Sequence, residues 1–247
     1  MKPSEKREIL GGRRAFLRST AALGGLAALS AVAGPARAQT ALKIGVVGSG
    51  RVGGTLGELW LKAGHEVMFS SLDLEHDKAL AAKLGGKARA GTTREAAAFG
   101  DVIFVAVPYG ALPQVGKDLA PSLKGKVVLD ACNPFPNRDG EIATWAREKG
   151  AGIASAELLP GARVVRGFNA IGAGRLPALA REATKIGMPI AGDDAQAIAV
   201  ASRLVRDAGL EPVLVGGLVM GRYLMPGTPL AGEHAPEKLR QIAATLK

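Results

Sequence analysis

The sequence predicts a doubly wound α/β fold, with a mostly parallel sheet and a short C-terminal helical extension, and three observations carry the prediction. The first is a strand, a tight turn and a helix in that order over residues 43–62, KIGVVGSGRVGGTLGELWLK. The second is alternation: an apolar strand-like run followed by a helical run recurs five times, as when helices cover both faces of a sheet through right-handed crossovers. The third is Asp101 to Val107 (DVIFVAV), a run typical of a parallel strand covered on both faces.

Taken in order, Ile44 to Val47 forms the first strand, and Gly48, Gly50 and Gly53 follow at GxGxxG spacing. Glycine permits the sharp turn, lets backbone approach a pyrophosphate and seats the helix close to the strand. The helix, with Val52, Leu56, Leu59 and Trp60 on one face, then offers the unpaired N–H groups of its first turn to the anion. His65 to Ser70 reads as the second strand. Its tip, Ser70-Ser71-Leu72, lacks the Asp or Glu that an NAD site commonly places there. Hydroxyls can bond a 2′-phosphate that a carboxylate would repel, so the tip leans towards NADP(H), with Lys78 one helical turn on as added positive charge. Ser71 or Asp73 caps the next helix, from about Leu74.

A short strand at Lys87 to Ala90 leads to Thr92-Thr93-Arg94-Glu95, which has capping-box spacing. Pro108-Tyr109-Gly110 closes the run from Asp101 at the sheet edge where such folds bind ligands. A helix over Leu112 to Leu119 and a strand over Lys126 to Asp130 follow, and the exit Ala131 to Pro136 is a proline-pinned loop on the same edge. Later come strands at Arg163 to Asn169, Lys185 to Ala191 and Glu211 to Val215, and helices at Ala195 to Ala208 and Glu237 to Leu246. Ala170 to Gly174 is too glycine-rich for an element interior and reads as a ligand-facing loop.

The domain expectation is a mature unit over 42–215, with 216–247 packed on it as an extension. Residues 1–38 precede it and hold seven Lys/Arg against two acids, half of the +10 net charge. Arg13-Arg14, an Ala/Leu/Gly-rich run and Ala36-x-Ala38 have the layout of a cleaved twin-arginine export signal. That layout predicts a periplasmic or otherwise exported protein with no membrane anchor after cleavage. The modest charge excess of the remainder, with 4% aromatic residues, argues against a nucleic-acid partner. Three scattered histidines and the single Cys132 offer no metal site, and Cys132 reads as a small buried hydrophobe. Oligomeric state stays open, a homodimer among the options.

With these segments placed, the chain resembles the family of deazaflavin coenzyme (F420):NADP oxidoreductases. The resemblance rests on IGVVGSGRVGGTL at Ile44 to Leu56, GHEVMFSS at Gly64 to Ser71, VAVPYGAL at Val105 to Leu112, LDACNP at Leu129 to Pro134, VVRGFNAIGAG at Val164 to Gly174 and PIAGDDAQA at Pro189 to Ala197. It implies a Rossmann NAD(P)-binding fold, with pyrophosphate on the Gly48-Ser49-Gly50-Arg51-Val52-Gly53 turn. It further implies the adenosine 2′-phosphate at Ser70 and Ser71, nicotinamide near Val107 and Pro108, and its carboxamide near Asn169, Ala170 and Ile171. Relatives usually place an arginine where this chain has Ser71, and a glutamate before proline where it has Met225 before Pro226.

Hydride transfer to a flavin-like ring needs geometry and no obligatory acid or nucleophile. The expected activity is therefore an NADP-dependent oxidoreductase passing a hydride to a flavin-like, deazaflavin (coenzyme F420) or metal-chelate acceptor. Asn169, Tyr109 and Arg222 are the candidate catalytic residues, with Pro108 and Asn133 lining the substrate side. Two rival readings are a non-catalytic exported NADP(H)-binding sensor or subunit, and an imine reductase resembling pyrroline-5-carboxylate reductase. The roughly thirty residues after Val215 are few for the long helical domain of the latter.

Overall fold

The computed structural model describes residues 40–246; the export-signal expectation over 1–38 lies outside them. Eight strands form one sheet: β1 (Lys43–Val47), β2 (Glu66–Ser70), β3 (Ala88–Ala90), β4 (Val102–Val105), β5 (Val127–Asp130), β6 (Arg163–Gly167), β7 (Gly187–Gly192) and β8 (Glu211–Gly216). Their spatial order is β3-β2-β1-β4-β5-β6-β7-β8. All neighbours are parallel except β6 and β7, so the last two strands run against the other six. Chain order reverses between β1 and β4, the switch point where such sheets open a crevice at their carboxyl edge.

Ten helices flank the sheet among the described residues: α1 (Arg51–Lys62), α2 (Leu74–Leu84), α3 (Thr93–Phe99), α4 (Leu112–Leu123), α5 (Pro136–Asp139), α6 (Glu141–Lys149), α7 (Ala151–Leu158), α8 (Leu176–Leu179), α9 (Ala195–Asp207) and α10 (Pro236–Thr245). Asp73 caps α2 through the His76 amide, and Thr92 with Glu95 completes the capping box of α3. One face of α1 buries Leu56 and Trp60 completely. The Trp60 indole N–H donates to the Leu204 carbonyl at 2.8 Å, tying α1 to α9, and its ring meets Phe104 and Phe168 edge-on.

Two departures from the sequence reading matter for the site. The strand expected over 101–107 stops at Val105, because β1 stops at Val47 and the last ladder bond runs from the Ala106 amide to Val47. Residues 106–108 are thereby freed to turn across the edge. The stretch between β5 and β6 also holds α5, α6 and α7, which the sequence reading left without structure. Its helical pattern is masked by short length and by Gly140 and Gly150 at the joints, both at positive φ.

The C-terminal segment packs on the reversed pair of strands. Leu239 of α10 is fully buried and clusters with Val213, Leu224, Leu230, Met220 and Ala191.

Candidate functional site

The exits of the six co-directional strands lie along the carboxyl edge, and the β1 exit makes a tight turn. Gly48 sits at φ +100°, where a side chain would be strained, and its N–H and that of Ser49 both donate to the Ser70 carbonyl, at 2.8 and 3.0 Å. A Cβ on Gly53 would lie 2.1 Å from the Gly48 carbonyl oxygen, so glycine there lets α1 close onto the turn. Gly50 differs: a Cβ there would meet nothing within 4 Å, because the position faces open cleft. It is also the N-cap of α1, with no side-chain cap and no acidic residue in the first turn. The uncapped amides of that turn, beginning with Arg51 and Val52, form a cradle that fits a pyrophosphate.

Two cavities flank this turn. One, of about 410 Å³, runs from Gly48 and Gly50 past Ser71, Leu72 and Asp73 to Ala106, Val107, Pro108 and Ala111. The other, of about 210 Å³, is lined by Arg51, Val52, Asn133, Phe135 and Arg138, and it shares Ala106, Val107 and Pro108 with the first. The expected contacts at Gly48, Gly50, Arg51, Val52, Ser71, Val107, Pro108 and Asn133 all line one or both cavities.

At the far end, Asn133 and Asn169 lock the β5 and β6 exits together. The Asn133 amide nitrogen donates to the Asn169 carbonyl at 2.9 Å. Asn169, 2% exposed, points its own amide nitrogen at the Cys132 carbonyl and Asn133 Oδ1, both at 3.4 Å. Its Oδ1 is buried with no protein partner. An unpaired buried acceptor is costly, and a ligand N–H would satisfy it. Phe168, just before it, is held at φ 65°, unusual for a bulky residue and the means by which the chain leaves β6 with Asn169 turned to Asn133. Ala170 and Ile171 follow, each 6% exposed.

Beneath the asparagines lies an ion pair that sequence reasoning missed. Arg166 of β6 and Asp130 of β5, both fully buried, pair at 2.5 Å. The guanidinium also donates to the Cys132 carbonyl at 3.0 Å and to Ser155 at 3.2 Å. The signal was available: Arg166 directly after Val164-Val165 and Asp130 directly after Val127-Val128-Leu129 are charges next to apolar strand runs, each demanding a partner. Cys132 lies buried beside the pair, and burial together with the Asp130 charge pushes its thiol pKa well up.

Five expected residues stand elsewhere. Tyr109, assigned to the substrate side, is fully buried, its hydroxyl 3.2 Å from Ser155 Oγ, and burial with the Asp130 charge raises its pKa. It supports the ion pair from the core, because the 3-10 turn at Tyr109–Ala111 swings its ring inward. Arg222 reaches the last carbonyls of α6, Lys149 at 3.4 Å and Glu148 at 3.5 Å, and lines neither cavity. Lys78 is exposed and pairs with Glu75 at 2.8 Å. Ser70 is fully buried and donates to the Val46 carbonyl at 2.7 Å. Ser49, 1% exposed, turns its hydroxyl to Asp77.

Comparison with known proteins agrees with this geometry. The family model for NADP oxidoreductase, coenzyme F420-dependent, matches residues 43–134. An F420-dependent NADP reductase of Methanothermobacter thermautotrophicus is 30% identical over 205 residues, spanning 76% of this chain and 87% of that protein. Among solved structures, a hypothetical protein from Sinorhizobium meliloti superposes with a TM-score of 0.66 at 24% identity, covering 79% of this chain and 96% of its own. A putative F420-dependent NADP reductase from Arthrobacter gives 0.61 at 22% identity, covering 73% and 87%.

Proposed function

Since the chain belongs to the coenzyme F420-dependent NADP oxidoreductase family and is an NADP-dependent oxidoreductase, we propose that it passes a hydride between NADP(H) and a planar flavin-like acceptor, a deazaflavin first. The observation that carries this reading is the meeting of the two cavities over Ala106, Val107 and Pro108. When bound, NADPH supplies a hydride from nicotinamide C4. On this reading α1 holds the diphosphate by its first-turn amides, and the unpaired Asn169 Oδ1 receives a carboxamide N–H. Val107 and Pro108 form an apolar floor that keeps water from the reacting face, and Phe135, 38% exposed, offers a ring edge on the acceptor side. The working residues bind and orient; none needs to move a proton at the transfer step.

The signal-like layout of residues 1–38 supports export of the folded protein, which would bring its reaction outside the cytoplasm.

Incubating the protein with NADPH and, separately, oxidised coenzyme F420, FMN and a ferric chelate tests the reading. Bleaching of the reduced-nicotinamide absorbance with the deazaflavin or FMN is the expected result. Tight NADPH binding with no oxidation by any of the three would overturn it and favour a non-catalytic sensor.

A further inference from the structure

We infer that the adenosine-ribose subsite admits NADH as well as NADPH, and that buried Asp77 sets the balance between them. In doubly wound folds the tip of β2 reads the ribose 2′ position: a carboxylate there takes a 2′-hydroxyl, and an arginine takes a 2′-phosphate. This chain puts three serine hydroxyls around that tip, each with a single proton to give. All three protons are committed to the protein. Ser70 gives its own to the Val46 carbonyl. Ser49 and Ser71 converge on the two carboxylate oxygens of Asp77, Ser71 at 2.9 Å, and Asp77 has no solvent exposure. The other acceptor near Ser71 Oγ is the Asp73 carbonyl at 3.1 Å, so either arrangement keeps the proton inside.

Ser71 Oγ also accepts from the Asp73 amide at 3.1 Å, so what it has left for the cleft is one lone pair and no proton. A ribose hydroxyl, which donates, suits it; a phosphate oxygen, which only accepts, finds no proton there. Local charge points the same way. The residues lining the adenosine-side cavity include Asp73 and no lysine or arginine, and Lys78 is paired with Glu75. Asp77 thus stands one hydrogen bond behind Ser71, in the role that NAD-selective sites give to a carboxylate at the tip itself. Affinity for NADPH then comes from the α1 turn and the nicotinamide end, which NADH reaches equally. This inference does not depend on which acceptor takes the hydride.

Titrating the protein separately with NADPH and NADH, followed by nicotinamide fluorescence, tests it. The two dissociation constants should lie within about tenfold of each other. Asp77→Asn removes the negative charge one hydrogen bond behind Ser71 at nearly constant shape. NADPH should tighten by about tenfold while NADH does not tighten. A merely structural role would move both nucleotides alike, and that result counts against the inference. Ser71→Ala, at a half-buried position, keeps the test alive should the Asp77 variant not fold: NADH should weaken by about tenfold and NADPH hold. Weakening of NADPH alone in Ser71→Ala, or a wild-type preference for NADPH above about a hundredfold, overturns the assignment. Failure of both nucleotides to bind would instead strike the cofactor site itself.

Discussion

Gly50 and Gly53 are three residues apart and serve different purposes. A methyl on Gly50 enters open cleft, so Gly50→Ala should leave the unfolding midpoint nearly unchanged and weaken NADPH by about tenfold or more, since it takes the space of the diphosphate. A methyl on Gly53 drives into the Gly48 carbonyl, so Gly53→Ala should cost about 1–3 kcal/mol of stability before any ligand is added. Thermal unfolding and nucleotide titration of the two variants separate the roles; equal stability loss in both would contradict them. The glycine spacing was legible in the sequence because backbone sterics alone dictate it. The Arg166–Asp130 pair was not, since periodicity counts apolar positions and says nothing of which two charges meet across neighbouring strands. Removing one member strands the other in a dry interior. Arg166→Met should therefore destabilise by about 3–5 kcal/mol, and chemical denaturation would reveal it.

At the scale of elements, α9 shows how local chemistry sets a boundary. Asp194 is its N-cap, accepting from the Ala197 amide at 2.8 Å and from Arg163 at 3.0 Å and 2.5 Å. The Arg163 bonds, then the cap amide, hold its pKa down to about 2. A carboxylate depressed in the fold contributes stability that is fully present above its unfolded value of 3.8 and is lost as pH falls through about 2. Melting curves across that window should therefore flatten in Asp194→Ala, which should also melt lower at neutral pH for want of the cap; an unchanged acid limb would remove Asp194 from the account. Caps of this kind made the starts of α2 and α3 readable from Asp73 and from Thr92 with Glu95. The run from α5 to α7 lacks any side-chain cap, its segments joined at glycines, and so it escaped the same reading. Reversal of β7 escaped for another reason. The chain from 168 to 186 forms one short helix, α8, and returns antiparallel beside β6 instead of crossing over to a parallel position, and no local pattern encodes that choice.

Taken as a whole, the molecule keeps its cleft on the six co-directional strands and its C-terminal helix on the reversed pair. Every residue lining the two shared cavities comes from residues 47–138. The α10 contacts fall instead on β7 and β8, where Leu239 packs against Gly187 and Val213 and the Gly187 amide donates to the His234 carbonyl at 2.9 Å. Stability and ligand affinity should then separate. Leu239→Ala empties a fully buried site and should cost about 2–5 kcal/mol, yet the dissociation constant for NADPH should not move. Saturating NADPH should raise the stability of wild type and variant by the same free energy, because that gain depends only on ligand concentration and affinity. Denaturant unfolding with and without nucleotide measures both quantities in one series. A variant whose NADPH gain falls well short of the wild-type gain would mean that packing on the reversed strands reaches the cleft, through β6 and the Phe168–Asn169 exit that borders both halves.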